Sequence, residues 1–259
     1  MKKSALSLIT LALASGAAVA QTAPAPASTL SYNIGVVTDY RYRGISQSSR
    51  NPAVQVGADY AHKSGFYIGA WHSTIQWITD NSSYAPATTV KGAGELDIYG
   101  GYKGEIVKGL GYDVGMLRYE YLGNTLEDTG GAKYGVYDNA NTTEVYGALT
   151  YGLFTAKYSY ALGDTFGNLN SKGSTYLDLS AAIDLGSGFA LTPHIGRQVI
   201  KNGAAYSYTD YSLTLAKDLG NGLSATAMLV GTNAKESSYT LKDKFNGKDA
   251  LVVGLKYSF

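Results

Sequence analysis

Asp249-Ala250-Leu251-Val252-Val253-Gly254-Leu255-Lys256-Tyr257-Ser258-Phe259 ends the chain, and its alternation decides the fold. Leu251, Val253, Leu255, Tyr257 and Phe259 fall on one face, and Ala250, Val252, Gly254, Lys256 and Ser258 on the other. Successive side chains of a strand point to opposite faces, so this is a strand whose apolar face runs up to a terminal aromatic. A lipid-facing closing strand of an outer-membrane β-barrel has this form.

The rest of the composition agrees. Among 259 residues there are 32 Gly and 23 Tyr and no Cys, as expected of one repetitive β object. After residue 20 no apolar run approaches the roughly 18 residues of a transmembrane helix, which excludes a helical membrane protein. Lys2 and Lys3, the apolar stretch from Ala5 to Ala14, and Ala18-Val19-Ala20 before Gln21 predict a cleavable secretory signal over residues 1–20. Residues 21–29 (QTAPAPAST) predict a Pro/Ala-rich periplasmic lead-in, and residues 30–259 the barrel. Without Lys2 and Lys3 the mature chain has 19 basic residues against 20 acidic ones, a net charge of about −1. That balance gives no footprint for nucleic acid. With no cysteine in an exported chain, stability must come from a closed hydrogen-bond ladder and packing.

Period-two alternation bounded by Gly, Asn, Asp, Ser and Pro predicts strands over 30–43, 53–63, 66–77, 94–104, 111–123, 142–152, 154–164, 174–186, 189–200, 208–219, 223–234 and 249–259. The fold class is therefore all-β, an antiparallel up-and-down transmembrane barrel of about twelve strands. The connections alternate in length, five short turns with six longer loops, which places both ends of the barrel on the short-turn, periplasmic side. Asp184-Leu185-Gly186-Ser187-Gly188 and Asp218-Leu219-Gly220-Asn221-Gly222 repeat one turn phrase.

Strand faces alternate apolar and polar. Tyr32, Ile34, Val36, Tyr40 and Tyr42 alternate with Asn33, Asp39, Arg41 and Arg43, and Leu177, Leu179 and Ile183 with Asp178, Ser180 and Asp184. Arg197 and Lys217 break the pattern close to strand ends. Tyr32, Tyr40, Tyr42, Tyr60, Tyr102, Tyr119, Tyr121, Tyr151, Tyr158, Tyr160, Tyr211 and Tyr257, with Trp71 and Trp77, are expected to form interfacial girdles. A soluble barrel or sandwich would bury the apolar face and leave the signal, the tyrosines and the terminal Phe unexplained.

The opening strand, Ser31-Tyr32-Asn33-Ile34-Gly35-Val36-Val37-Thr38-Asp39-Tyr40-Arg41-Tyr42-Arg43-Gly44-Ile45-Ser46-Gln47, resembles the start of the TorF family of porins, also called Gcw_chp. The likeness continues through Pro52-Ala53, Asp59-Tyr60 and Ser64-Gly65-Phe66-Tyr67 to Gly69 and Trp71; beyond that it extends only to architecture and the Tyr-Ser-Phe ending. His72-Ser73-Thr74 departs from the family's Gly-Ser-Asn-like stretch. The resemblance implies a bacterial outer-membrane barrel of porin type, without a defined solute.

The alternation sends Asp39, Asp59, Glu95, Asp97, Glu120, Glu144, Asp178, Asp184, Asp210 and Asp218 to the lumen, with Arg41, Arg43, Lys103, Arg118, Lys157 and Lys256. Ten acids against six bases favour cations if water fills the barrel; alternatively, acids and bases pair and plug it. Twelve strands lie between the filled interior of eight and the aqueous channel of sixteen. Tyr99, Met116, Tyr146 and Tyr176 are also expected to point inward. The pore-lining set is thus Asp39, Arg41, Arg43, Asp59, Glu95, Asp97, Arg118, Glu120, Glu144, Lys157, Asp178 and Asp210. The arginines of Asp39-Tyr40-Arg41-Tyr42-Arg43-Gly44 suit either an anionic solute at the outer mouth or wall carboxylates.

No catalytic site is expected. His62 and Ser64 are spaced for a dyad but lack an orienting third group, and Ser73 follows His72 on the opposite face. Three His and no Cys offer little to a transition metal, and no cofactor motif is present. Loop acids Asp80, Glu127, Asp128 and Asp138 suit calcium or lipopolysaccharide bridging, or simple solvation. The expected partners are outer-membrane lipid and lipopolysaccharide, small hydrophilic solutes, and the barrel-assembly machinery through the Phe259 strand. The competing function is a closed structural or surface-interaction barrel acting through its loops.

Overall fold

The computed structural model describes residues 28–81, 90–129 and 137–259. The signal peptide and nearly all of the lead-in expected at the N-terminus lie outside the described residues. In chain order the strands are β1 (Thr29–Val37), β2 (Arg41–Tyr42), β3 (Ile45–Ser46), β4 (Ala53–Ala61), β5 (Phe66–Thr74), β6 (Gly94–Val107), β7 (Leu110–Tyr121), β8 (Thr142–Tyr151) and β9 (Phe154–Ala161). They continue with β10 (Thr175–Ala181), β11 (Ile183–Gly186), β12 (Phe189–Val199), β13 (Tyr208–Gly220), β14 (Leu223–Thr232), β15 (Thr240–Leu241), β16 (Lys244–Phe245) and β17 (Ala250–Ser258). Two one-turn helices, α1 (Trp77–Asp80) and α2 (Glu236–Tyr239), lie in loops.

The wall is a closed antiparallel ladder, β1-β4-β5-β6-β7-β8-β9-β10-β12-β13-β14-β17, with β17 returning to β1. β10 and β11 form one wall strand interrupted at Ala182, whose N–H donates to the Leu153 carbonyl at 2.8 Å. With those two taken as one, the wall has the twelve strands the alternation predicts. Closure leaves no unpaired edge, which lipid would not tolerate. At the seam Val36 stands opposite Leu255 and Ile34 opposite Tyr257. Tyr32 and Phe259 exchange backbone hydrogen bonds of 2.8 and 3.0 Å, and their rings stack at 5.7 Å.

One end of the barrel carries five short turns, and the other the described residues of six longer connections, 38–52, 75–81 with 90–93, 122–129 with 137–141, 162–174, 200–207 and 233–249. Asp184 and Asp218 sit at the short-turn end, where their carboxylates accept the N–H groups of Gly186 and Gly220, both at 2.8 Å. They brace the turns rather than line the lumen, as the alternation had suggested.

The exterior is apolar. Leu251, Val253, Leu255 and Tyr257 of β17 and the following Phe259 are all exposed, while Val252 is 3% exposed. Of the expected girdle, Tyr32, Tyr60, Tyr102, Tyr151, Tyr158, Tyr160, Tyr211 and Tyr257 do face outward. Tyr40, Tyr42, Tyr119, Tyr121 and Trp71 instead form the interior aromatic core, and Trp77 packs against it from the second loop.

Strand β7 is inverted relative to the expected alternation. Directly opposed residues of an antiparallel pair share a face, and Arg118 opposes the exposed Ile98 while Tyr119 opposes the buried Asp97. Arg118, Glu120 and Met116 therefore point outward, and Tyr119 and Tyr121 inward. Tyrosine suits either face because it joins an apolar ring to a hydroxyl, and here the inward hydroxyl of Tyr119 bonds that of Tyr42 at 2.6 Å. Arg118 and Glu120 neutralise each other on the outer wall at 2.8 Å, and Asn141 donates to Glu120 at 2.5 Å. The pair lies close to the long-loop end, where charge costs least against a bilayer.

Candidate functional site

The first long loop does not project away from the barrel. After β1 ends at Val37 the chain turns inward, and β2 and β3 form a miniature hairpin in the long-loop end of the lumen. Asp39-Tyr40-Arg41-Tyr42-Arg43 has strand alternation, but this strand is not part of the wall. Asp39, Arg41 and Arg43, expected as residues of a longer first wall strand, are buried in this inward loop at 4 to 7% exposure. The hairpin tip is Arg43-Gly44, with φ of 47° and 78°, the paired positive values of a two-residue I′ turn. A Cβ at Gly44 would meet Thr232 Cγ2 at 2.5 Å and Asp210 Cβ at 2.7 Å, so the tip seats against the wall only because that residue is glycine.

From this tip Arg43 reaches the far wall. Its guanidinium donates to both carboxylate oxygens of Glu144 on β8, at 3.0 and 2.7 Å, and to Gln198 Oε1 on β12 at 2.6 Å. It also lies 4.1 Å from the Tyr176 ring centroid and 4.8 Å from that of Tyr42. Burial disfavours the Arg43 charge, but the Glu144 carboxylate more than offsets this, and its pKa stands above the usual guanidinium value. The fork-to-fork geometry suits arginine and would not be met by lysine.

The base of the hairpin is tied to two other loops. Arg41 pairs with Asp39 at 2.7 Å and donates to the carbonyls of Gly44, Asn246 and Lys248 at 2.9, 3.2 and 2.9 Å. The Gln47 carbonyl accepts the N–H groups of Gln76 and Trp77 from the second loop. Ser49 donates to Asp80 at 2.5 Å, and Lys242 of the sixth loop pairs with the same carboxylate at 2.8 Å. Tyr40 packs edge-on against Trp71 at 5.3 Å and donates to Glu95 at 2.9 Å.

The other expected lumen residues line the wall around and beneath this plug. Glu95, Asp97, Glu144, Asp178 and Asp210 are buried on the inner face, each at 5% exposure or less. Asp59 accepts a hydrogen bond from Tyr99, and Lys157 lies over the Tyr146 ring at 3.9 Å. His194 sits between Asp178 and Asp210 at 3.2 and 3.7 Å. Tyr176 bonds both Asp210 oxygens at 3.1 Å, and Gly196 makes room, since a Cβ there would collide with the Tyr176 hydroxyl. Composition and alternation missed three members of this interior. Asp113 accepts from Tyr67 at 2.6 Å, His194 bridges two acids, and Gln198 holds Arg43. Asp113 was legible, because it lies opposite Lys103 across the β6–β7 hairpin.

Above the plug, at the long-loop end, lies a cavity of about 120 Å³ with Tyr42, Ile45, Ser46 and Gln47 in its floor. The remaining loops supply its walls, including Trp77, Phe166, Tyr206 and Tyr239.

Solved structures that share the barrel fold include outer-membrane channels. A "KdgM porin" aligns with a TM-score of 0.54 at 7% identity, covering 90% of this chain and 99% of that one. The "NanC porin" aligns with a TM-score of 0.53 at 10% identity, covering 89% and 99%. At such identities the likeness establishes the barrel fold. No curated protein sequence matches the chain. The profile described as "Bacterial protein of unknown function (Gcw_chp)" matches residues 20–259, under that name and not the TorF one, and with nearly the whole chain matched the protein belongs to the Gcw_chp family.

Proposed function

We propose that the protein is an outer-membrane channel for small hydrophilic solutes or ions, with the inward hairpin of the first loop as its constriction. The observation that carries this reading is the inner wall: Asp59, Glu95, Asp97, Asp113, Asp178 and Asp210 face a lumen crossed by a segment held mainly through side-chain bonds. A wall built only for filling would be apolar, because buried charge costs more than it returns unless fully paired. Lumenal acids outnumber Arg41, Arg43, Lys103, Lys157 and Lys256, which favours cations. The barrel's likeness to structures whose names say porin supports the reading at the level of fold. The long loops face outward from the cell, the apolar band meets lipid and lipopolysaccharide, and the Phe259 strand is the handle for the assembly machinery.

The test is conductance. Protein refolded in detergent and inserted in a planar bilayer should give discrete steps with weak cation preference, and silence at every voltage rejects the proposal. A second reading, a closed surface-interaction barrel, is favoured by the interlock of loops one, two and six; it predicts that silence. Catalysis has no place in either reading. His62 Nδ1 and Ser64 Oγ are 2.8 Å apart, but the same nitrogen also takes the Ser64 N–H, and no described residue bonds the other ring nitrogen.

A further inference from the structure

We infer that the cavity above the plug is a binding site for one ring of a neutral carbohydrate. No residue lining it is charged among the described residues. A charged solute would leave water there without a counter-charge, at a cost the site does nothing to offset. Uncharged does not mean apolar here, however. The aromatic rings of Trp77, Tyr121, Phe166 and Tyr239 line the cavity together with the amides of Gln47, Asn81, Asn168 and Asn246. A pyranose combines the two complements: its C–H face lies on aromatic rings, and its rim of hydroxyls both donates and accepts.

Several of these polar groups are unsatisfied within the protein. Asn246 is 2% exposed and its Oδ1 has no hydrogen-bond partner, and the buried Trp77 indole N–H likewise has none. The side-chain amides of Asn81 and Asn168 spend their N–H groups on the Trp77 and Thr165 carbonyls, at 2.9 and 2.8 Å, which leaves their oxygens free to accept. Buried polar groups normally find partners. The Trp77 N–H and the Asn246 oxygen are sealed from water, so a ligand reaches them only by shifting the side chains over them. A donor and acceptors on residues that line one cavity point to a hydroxylated ligand. A hydrocarbon would satisfy none of them. The volume of about 120 Å³ falls short of the roughly 300 Å³ at which drug-sized pockets begin, and suits a single ring.

The site concerns binding at the mouth and stands whether or not the bound molecule crosses the barrel. It is tested on the full mature chain, refolded in detergent and checked by heat-modifiable gel mobility. The measurement is calorimetric titration with glucose, galactose and cellobiose against galacturonate and adenosine. At least one neutral sugar should bind saturably in roughly the millimolar range or tighter, at least tenfold better than galacturonate or adenosine. Trp77→Ala and Asn246→Ala should each weaken it tenfold or more, while Arg118→Ala on the outer wall leaves it unchanged. Trp77→Phe, which keeps the ring face and removes the N–H, should fall between parent and Trp77→Ala. If Asn246→Ala fails to refold, the two Trp77 variants, in a loop outside the ladder, decide the matter. No saturable binding of any neutral sugar, tighter binding of adenosine or galacturonate, or full affinity in Trp77→Ala overturns the inference.

Discussion

Arg43 of the first loop and Glu144 of β8 meet as a two-pronged ion pair, 2.7 and 3.0 Å, across the width of the barrel. Five steps of the wall separate β1, from which the loop springs, from β8 on the far side. The contact is therefore a strut rather than a neighbour contact. It holds a hairpin across the path a solute would take.

Removing one member of a buried ion pair strands the other and costs about 3 to 5 kcal/mol. Here that cost falls on the docking of the hairpin, because the wall ladder needs neither side chain. Glu144→Gln and Arg43→Ala should thus raise single-channel conductance several-fold in planar bilayers and leave heat-modifiable mobility intact. Unchanged conductance in both variants would show that the hairpin does not limit flow.

Gly44→Ala provides the same test without touching a charge. An L-residue in the left-handed region costs about 1 to 2 kcal/mol, and the added Cβ would press on Thr232 and Asp210 at 2.5 and 2.7 Å. The hairpin should seat poorly, and open-state conductance should rise toward that of Arg43→Ala. Agreement between the two variants would separate plug position from local charge.

Asp59 and Asp113 each take a tyrosine hydroxyl, from Tyr99 and Tyr67. Asp59→Asn with Asp113→Asn preserves shape and removes two lumenal charges. The reversal potential under a salt gradient should move toward zero as cation preference falls. A shift in the opposite direction would mean that the bases dominate permeation.

Val253 is exposed at the centre of the closing strand β17, opposite Ala227 of β14. Val253→Arg should cost about 2 to 4 kcal/mol of folding free energy in lipid, seen as a lower urea midpoint for the loss of heat-modifiable mobility. Arg197→Leu, two residues from the long-loop end of β12, should change that midpoint little.

The wall was legible in the sequence because a two-residue period must hold along every strand that has lipid on one side. Strand β17 and the alternating connection lengths were therefore readable without coordinates. Tyrosine blurred the reading elsewhere. In β7 the run Arg118-Tyr119-Glu120-Tyr121 satisfies either face on composition alone, and only the opposed residues Ile98 and Asp97 settle which is outside. The first loop failed for a different reason. Asp39 to Arg43 has true strand periodicity, and part of it forms β2, but period says nothing about whether a strand joins the wall. Contacts such as Gln198 with Arg43 span 155 positions, and no local pattern announces them.

Arg41 holds the carbonyls of Asn246 and Lys248, which immediately precede β17, and β17 is the strand that zips against β1. The grip cannot exist until the first and last hairpins have been brought side by side. Arg43 and Tyr40 can anchor the hairpin to the wall before the seam forms, but the Arg41 lock on the last loop closes only when the circle is complete. The order of assembly is written into which residues the cork holds.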